Sequence, residues 1–154
     1  MGRRESGAGD QTGEQDETKI YTDPVLAKEF VTETGIDALA CSFGTTHGIY
    51  LTAPKLDFSV VQRVREACGG IPVVMHGGSG VSPEEFHKAI QAGVRKINYF
   101  TYMDKAGGSA AGTYINSLEQ ASPLFLTEMI TRARTAMKEN VKTAMKTFAM
   151  QDLE

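Results

Sequence analysis

The sequence predicts an α/β fold built on a parallel sheet. Three short apolar segments typical of strands alternate with segments whose apolar residues recur every three or four positions, the spacing of a helix. The connections have the lengths found in βα units, and strict alternation of this kind is typical of parallel strands covered by helices. We therefore expect three parallel strands with their helices, followed by a helical C-terminal region.

Length, composition and charge narrow the function classes. The 154 residues, 41% of them hydrophobic and 23% charged, fit one globular domain. No apolar run reaches the length of a membrane span, and no apolar segment follows the basic residues near the start. We therefore expect no membrane partner, no secretory signal and a cytoplasmic location. The formal net charge of −3 argues against a nucleic-acid partner.

The first part of the chain divides into a polar segment and a helix. Residues 1–18 are rich in Gly, Glu, Asp, Gln and Thr, so they are predicted to form a mobile acidic loop or tail. Asp23 and Pro24 open the first helix, which ends at Gly35. Its large apolar residues are expected to form one buried stripe: Val25, Leu26, Phe30 and Val31.

Two strand-and-helix units follow. The first strand is predicted within residues 36–43, and a helix capped by Asp57 then ends at the two glycines 69–70. That helix is expected to turn Val60, Val61, Val64 and Ala67 inward. The second strand begins near residue 71. A third helix over residues 83–92 has Ser82 as its N-cap and Glu85 placed to complete a capping box.

The C-terminal part is predicted to be helical. A third strand over residues 96–100 leads to a helix with a glycine-rich break at Gly107 and Gly108. A long helix is then expected from about residue 122 to about residue 150. Its apolar stripe comprises Leu126, Ile130, Ala133, Met137, Val141, Met145 and Phe148. A ligand groove is one interpretation of this methionine-rich stripe. Amphipathic stripes are usually core or subunit interface, and oligomer contact is the better interpretation here.

Polar residues follow the three predicted strands. His47 follows the first strand, His76 ends the second, and Asn98 and Thr101 take the equivalent place in the third. Because the carboxyl ends of parallel strands are where α/β folds bind ligands, these residues indicate a site on one rim of the sheet.

A glycine-rich turn follows His76 and precedes the third helix. The backbone N–H groups of Gly77, Gly78 and Ser79 could approach an anion closely, and the positive end of the following helix would favour negative charge. The alternative is a tight strand-to-helix turn without a ligand. His87 lies among charged residues within that helix, which favours a solvated position over a metal site.

Five segments together carry a family resemblance. They are Tyr-Thr-Asp-Pro at 21–24, Gly-Thr-Thr-His-Gly-Ile-Tyr at 44–50, Pro-Lys-Leu-Asp-Phe at 54–58, His-Gly-Gly-Ser-Gly at 76–80 and Lys-Ile-Asn at 96–98. In these segments the chain resembles the class II ketose-bisphosphate aldolases, the metal-dependent fructose- and tagatose-bisphosphate enzymes. Each segment alone is weak, but the combination is specific.

The resemblance implies a partial TIM barrel. The family's fold is a (β/α)8 barrel, in which the three predicted strands would be the sixth, seventh and eighth. Residues 19–154 would then be a partial barrel domain with a helical extension from about residue 122. The first five strands would be missing, and with them one zinc histidine and the acid/base aspartate, so we expect this chain alone to be inactive. Glu14 and Glu17 are loose candidates for the glutamate that the family carries on a mobile loop.

The resemblance also implies a reaction. It is the reversible cleavage of a ketose 1,6-bisphosphate to dihydroxyacetone phosphate and glyceraldehyde 3-phosphate, with Zn²⁺ as the cofactor. His47 and His76 would be two metal ligands, because imidazole suits zinc. The alternative is a pair of unrelated histidines bonded to backbone. The implied substrate-binding residues are Gly48, Gly77, Gly78, Ser79, Asn98, Tyr99, Phe100 and Thr101.

Two departures from the family pattern leave the substrate open. Leu51 stands where many members have a phosphate-binding lysine, and Phe100 replaces an aspartate that some fructose enzymes use. Fructose and tagatose bisphosphate both remain possible substrates, and the full-length parent is expected to be a homo-oligomer. A second hypothesis is a non-catalytic phosphate-binding or interaction module derived from an aldolase.

Overall fold

A parallel three-stranded sheet organises the chain. The computed structural model describes residues 21–45, 55–78, 80–119 and 122–151. Within them the strands are hydrogen-bonded in the order β1-β2-β3, both pairs parallel, which confirms the predicted α/β arrangement. The elements are α1 Pro24–Thr34, β1 Leu39–Ala40, α2 Phe58–Ala67, β2 Val73–Met75, α3 Pro83–Ala92, β3 Val94–Ile97, α4 Thr101–Asn116 and α5 Leu126–Phe148. The predicted tail, residues 1–18, lies outside the described residues.

Pairing extends beyond the short strands. The Cys41 N–H donates to the Val74 carbonyl at 3.3 Å, and the Asn98 N–H donates to the Met75 carbonyl at 3.0 Å. A bulge at Arg95 shifts the register, so that Val74 lies opposite Lys96. β3 begins and ends earlier than the predicted strand over residues 96–100. Asn98 follows β3 and is hydrogen-bonded through its N–H group to the last residue of β2.

The helix ends follow the local sequence. The Asp23 carboxylate accepts from two N–H groups at the start of α1, and Gly35 ends that helix with a left-handed φ of 64°. Asp57 caps α2, and Ser82 forms the predicted capping box of α3 with Glu85. These three helix starts confirm the sequence predictions.

The core lies between the sheet and the helices α2 and α3. Val73 and Met75 of β2 are fully buried in this core. The valines predicted to turn inward from α2 are also buried there, whereas Ala67 is half-buried. The most deeply buried members are Phe43, Val60, Val61, Val64, Val73, Met75 and Val94. Cys41 belongs to the same core, and burial, with a smaller contribution from Cys68, raises the pKa of its thiol to about 11. Both cysteines are free.

The predicted buried stripe of α1 is wrong for three of its four residues. Val25, Leu26 and Phe30 expose 73%, 65% and 51% of their surface. Ala27 is buried instead, and Val31 packs against the core. α1 packs chiefly on α2, and the small Ala27 side chain allows that close approach.

The helices α4 and α5 also differ from expectation. α4 runs without a break through Gly107 and Gly108, because Gly107 is buried where α4 packs on α5 and a side chain there would meet Met137. α5 begins at Leu126, four residues later than predicted. Its buried residues are Ala144 and Thr147, whereas three members of the predicted stripe are exposed: Leu126, Ile130 and Met145.

His87 connects α3 to α5. Its side chain is half-buried, and Nε2 lies 3.0 Å from the carbonyl oxygen of Thr147 near the end of α5. The predicted solvated position of His87 is therefore wrong, because α5 covers this side of α3. In the described ranges, every helix is too short or too polar to cross a membrane.

Candidate functional site

His76 and Asn98 meet at the carboxyl ends of two adjacent strands. His76 directly follows β2, and Asn98 directly follows β3. Val74 lies opposite Lys96 in the sheet. Because side chains alternate between the two faces of a sheet, His76 is on the same face as Val74, and Asn98 is on the same face as Lys96. The sheet register therefore carries the imidazole and the amide to the same side.

The two side chains are in direct contact. The Asn98 Nδ2 atom lies 3.0 Å from Nδ1 and 3.0 Å from Nε2 of His76. A position in the ring plane at equal distance from both nitrogens would overlap a ring carbon, so the amide lies over a face of the imidazole. N–H groups above aromatic rings make weak favourable contacts. No atom of Asn98 therefore lies along the in-plane direction of either ring nitrogen of His76.

A third side chain joins this contact from β3. The Lys96 ammonium donates to the Asn98 Oδ1 atom. Lys96, Asn98 and His76 therefore form a connected row across the two strand ends. Lys96 belongs to the Lys-Ile-Asn segment of the family resemblance, but no role was predicted for it. The two-residue spacing to Asn98, which puts both on one face of a strand, was the signal that could have found it.

The glycine turn after His76 is shaped by close packing. Gly77 is buried and has a left-handed φ of 66°. A Cβ on Gly78 would lie 3.1 Å from the Phe86 ring and 3.6 Å from Ile97, so a side chain there has almost no space. The chain then enters α3 through the Ser82 capping box. This turn brings backbone close to the rim that carries His76 and Asn98.

The residues after Asn98 point in different directions. The Tyr99 hydroxyl donates to the Asn140 Oδ1 atom of α5 at 2.8 Å, and burial raises the pKa of Tyr99. The Phe100 side chain is exposed. Thr101 begins α4, whose N-terminus has no side-chain cap. The Tyr99 side chain thus bonds to α5, while the backbone at the start of α4 lies beside the rim.

A cavity of about 220 Å³ lies between the start of α3 and α5. Its wall includes Gly78, Gly80, Tyr99, Tyr102 and Asn140. Tyr102 and Asn140 were not among the residues predicted for the site. Their contribution depends on how α5 packs on α3 and α4, for which the sequence has no local signal.

The structure brings together only part of the predicted site. It places His76, Gly77, Gly78 and residues 98–101 around the ends of β2 and β3. The other predicted residues lie outside the described part of the chain: Glu14, Glu17, His47, Gly48 and Ser79. The described residues contain no group of three or more potential metal-ligating side chains. His76 is a suitable zinc ligand by its chemistry, and His47 is the second histidine that the sequence offers.

The sequence matches one protein family over nearly its whole length. Residues 2–152 match the family described as fructose-bisphosphate aldolase class-II. The chain belongs to this family. The resemblance found in the five sequence segments is confirmed.

Solved structures agree with this membership. The YdjI aldolase from Escherichia coli K12 is 39% identical, with a TM-score of 0.72 over 83% of this chain and 46% of that one. A fructose-bisphosphate aldolase from Campylobacter jejuni has a TM-score of 0.71 over 92% of this chain and 49% of its own, at 20% identity, which shows likeness of fold. The present chain spans about half the length of each.

Proposed function

We propose that this chain is the C-terminal part of a zinc-dependent class II aldolase. In this proposal β1, β2 and β3 are strands six to eight of a (β/α)8 barrel. The reaction is the reversible cleavage of a ketose 1,6-bisphosphate to dihydroxyacetone phosphate and glyceraldehyde 3-phosphate, a step of carbohydrate metabolism. Family membership and the match to about half of the YdjI aldolase chain support it.

The contact between His76 and Asn98 carries the proposal. A half-buried imidazole and an amide converge at two strand ends, beside a glycine turn and the start of a helix. A purely structural turn would need the glycines but not a polar pair at the adjoining strand end. In a parallel α/β sheet this is also the edge at which ligands bind.

The phosphate of dihydroxyacetone phosphate would bind between the glycine turn and α4. The backbone of Gly77 and Gly78 follows His76 at the rim, and backbone N–H groups of glycines can approach an anion closely. α3 uses its Ser82 cap to satisfy an N–H group, whereas α4 has no side-chain cap. The N–H groups at Thr101 are therefore better placed to meet a phosphate oxygen. The other predicted binding residues, Gly48 and Ser79, would complete this cradle.

His76 would hold the metal together with His47. Bound zinc would polarise the substrate carbonyl and its neighbouring hydroxyl. Asn98 presents a donor group beside His76, so its amide can bind a substrate oxygen and orient it. Proton transfer to carbon needs an acid or base in addition to the metal ligands and Asn98. We propose that another part of the whole enzyme supplies that group.

A non-catalytic phosphate-binding module is the second candidate. The described residues contain no set of three potential metal ligands, and the chain spans less than half of the YdjI aldolase. The same cradle would then bind a sugar phosphate without cleaving it. Turnover separates this candidate from the first.

A coupled cleavage assay tests the proposal. Release of dihydroxyacetone phosphate is measured with zinc and with fructose or tagatose 1,6-bisphosphate, for this chain alone and mixed with a chain that carries the first five strands of a class II aldolase. We expect no measurable turnover alone and turnover in the mixture. His76→Ala should abolish it, because one of the proposed metal ligands is removed.

His87→Ala is the matched control. His87 bonds to the Thr147 carbonyl on the side of α3 that α5 covers, so the variant should remain active in the mixture. Full activity of His76→Ala would refute the site. Rapid turnover by this chain alone would refute the claim that its catalytic set is incomplete. Phosphate binding without turnover in any mixture would favour the binding module.

A further inference from the structure

Lys96 is joined to the candidate site although it is neither a metal ligand nor a residue of the phosphate cradle. It lies in β3 opposite Val74, and its ammonium donates to the Asn98 Oδ1 atom. Its neighbour Arg95 instead donates to the carbonyls of Ile90 and Val94. The two basic residues of β3 therefore make different connections, and one of them runs to the rim.

The charge of Lys96 decides which end of the Asn98 amide faces His76. Amide oxygen and nitrogen look alike in outline, so their assignment rests on hydrogen-bond partners. An ammonium group is a donor only and can accept nothing. The assignment that follows has Oδ1 accepting from Lys96 and Nδ2 3.0 Å from each ring nitrogen of His76. The reversed amide would place its N–H groups against an ammonium.

We propose that Lys96 is a positioning residue that holds the Asn98 amide with its donor end towards His76 and the substrate. Lys96 itself touches no reacting atom. It acts by bonding the only acceptor of the Asn98 side chain, which leaves two N–H groups directed at the rim. A substrate whose reacting oxygens become negative in the transition state requires donors at this position.

The consequence for catalysis rests on the proposed aldolase function, but the positioning does not. Without the ammonium, the Asn98 amide gains a second orientation in which Oδ1 faces the rim. That orientation would direct an acceptor at a substrate oxygen. The effect should therefore be a loss of productive binding geometry, with the sheet itself unchanged.

The test is side-chain amide NMR on the full 154-residue chain. The Asn98 NH2 signals are assigned by their loss in Asn98→Asp. In the wild type we expect nuclear Overhauser contacts from these protons to the His76 ring. Lys96→Met should abolish those contacts and shift the NH2 pair. Lys96→Arg should restore them, because a guanidinium is also a donor only.

Arg95→Met is the matched control. It removes a neighbouring cation that is bonded elsewhere, so the Asn98 contacts should remain. If Lys96→Met leaves the Asn98 signals and contacts unchanged, the proposal is wrong. If Lys96→Met does not fold, Lys96→Ala replaces it: this side chain also has no donor, so unchanged Asn98 contacts in Lys96→Ala would equally refute the proposal.

The complemented cleavage assay adds the functional readout. There Lys96→Met should lower kcat/KM about tenfold, the size expected for one lost hydrogen bond, and Lys96→Arg should recover it. A mixture in which even the wild type is inactive would refute the proposed function, while the NMR comparison would still decide the role of Lys96. Restored Asn98 contacts without restored activity would refute the catalytic consequence.

Discussion

The helices α3 and α1 each carry a phenylalanine, but the two rings have different surroundings. Phe86 of α3 is 5% exposed, packs beside Gly78 and meets the Phe148 ring edge-on at a centroid distance of 4.9 Å. Phe30 of α1 is half exposed. α3 contacts α2, β3 and α5, whereas α1 packs chiefly on α2. An apolar stripe therefore shows which residues favour burial, and the number of neighbouring elements decides which of them are buried.

The backbone shows the same contrast. Gly44, in the loop after β1, has a φ of 105°, and a Cβ there would overlap the Lys55 carbonyl oxygen. Gly108 in α4 has no neighbouring atom among the described residues within 4 Å of a Cβ. The loop at the rim is tightly constrained, and the exposed side of α4 is not.

The largest expected effect comes from the paired truncations Phe86→Ala and Phe30→Ala. Loss of the buried ring should lower the free energy of unfolding by about 3–5 kcal/mol, because it removes apolar burial and leaves a cavity. Loss of the exposed ring should change it by about 0.5 kcal/mol or less. Urea denaturation followed by circular dichroism measures both. Equal losses would mean that another chain or a second copy covers α1 in solution.

The next effect tests the backbone with Gly44→Ala and Gly108→Ala. The first should cost about 2–3 kcal/mol, since a side chain at this φ is strained and must displace backbone. The second should stabilise by about 0.5–1 kcal/mol, because alanine favours a helix interior. Thermal unfolding of both variants gives the comparison. Stability changes of the same sign in the two variants would contradict the contrast between the constrained loop and the open face of α4.

The smallest effect is expected where the rim and α5 meet. Tyr99→Phe removes the hydroxyl that donates to Asn140 and should lower the free energy of unfolding by about 0.5–1.5 kcal/mol. A double-mutant cycle with Asn140→Ala isolates this bond from the ring packing against Phe148. A coupling free energy near zero would show that the bond does not hold α5 to the rim.

The local elements could be predicted because each depends on a few adjacent residues. The Ser82 capping box, the Asp23 and Asp57 caps and the end of α1 at Gly35 all follow from short-range hydrogen bonds and backbone conformation. The parallel sheet followed from the alternation of elements. The meeting of His76 with Asn98 was foreseeable because both follow strands of the same sheet.

Sequence alone thus determined the family, the order of elements and the strand-end position of His76 and Asn98, because repeated local patterns and motifs carry that information. Only the tertiary structure decided that α4 continues through Gly107, that His87 bonds to α5 and that Lys96 donates to the Asn98 amide oxygen. Each of these depends on the exact register or approach of two elements. A shift of one residue in a strand, or a rotation of one helix, would change the partner without changing the local pattern.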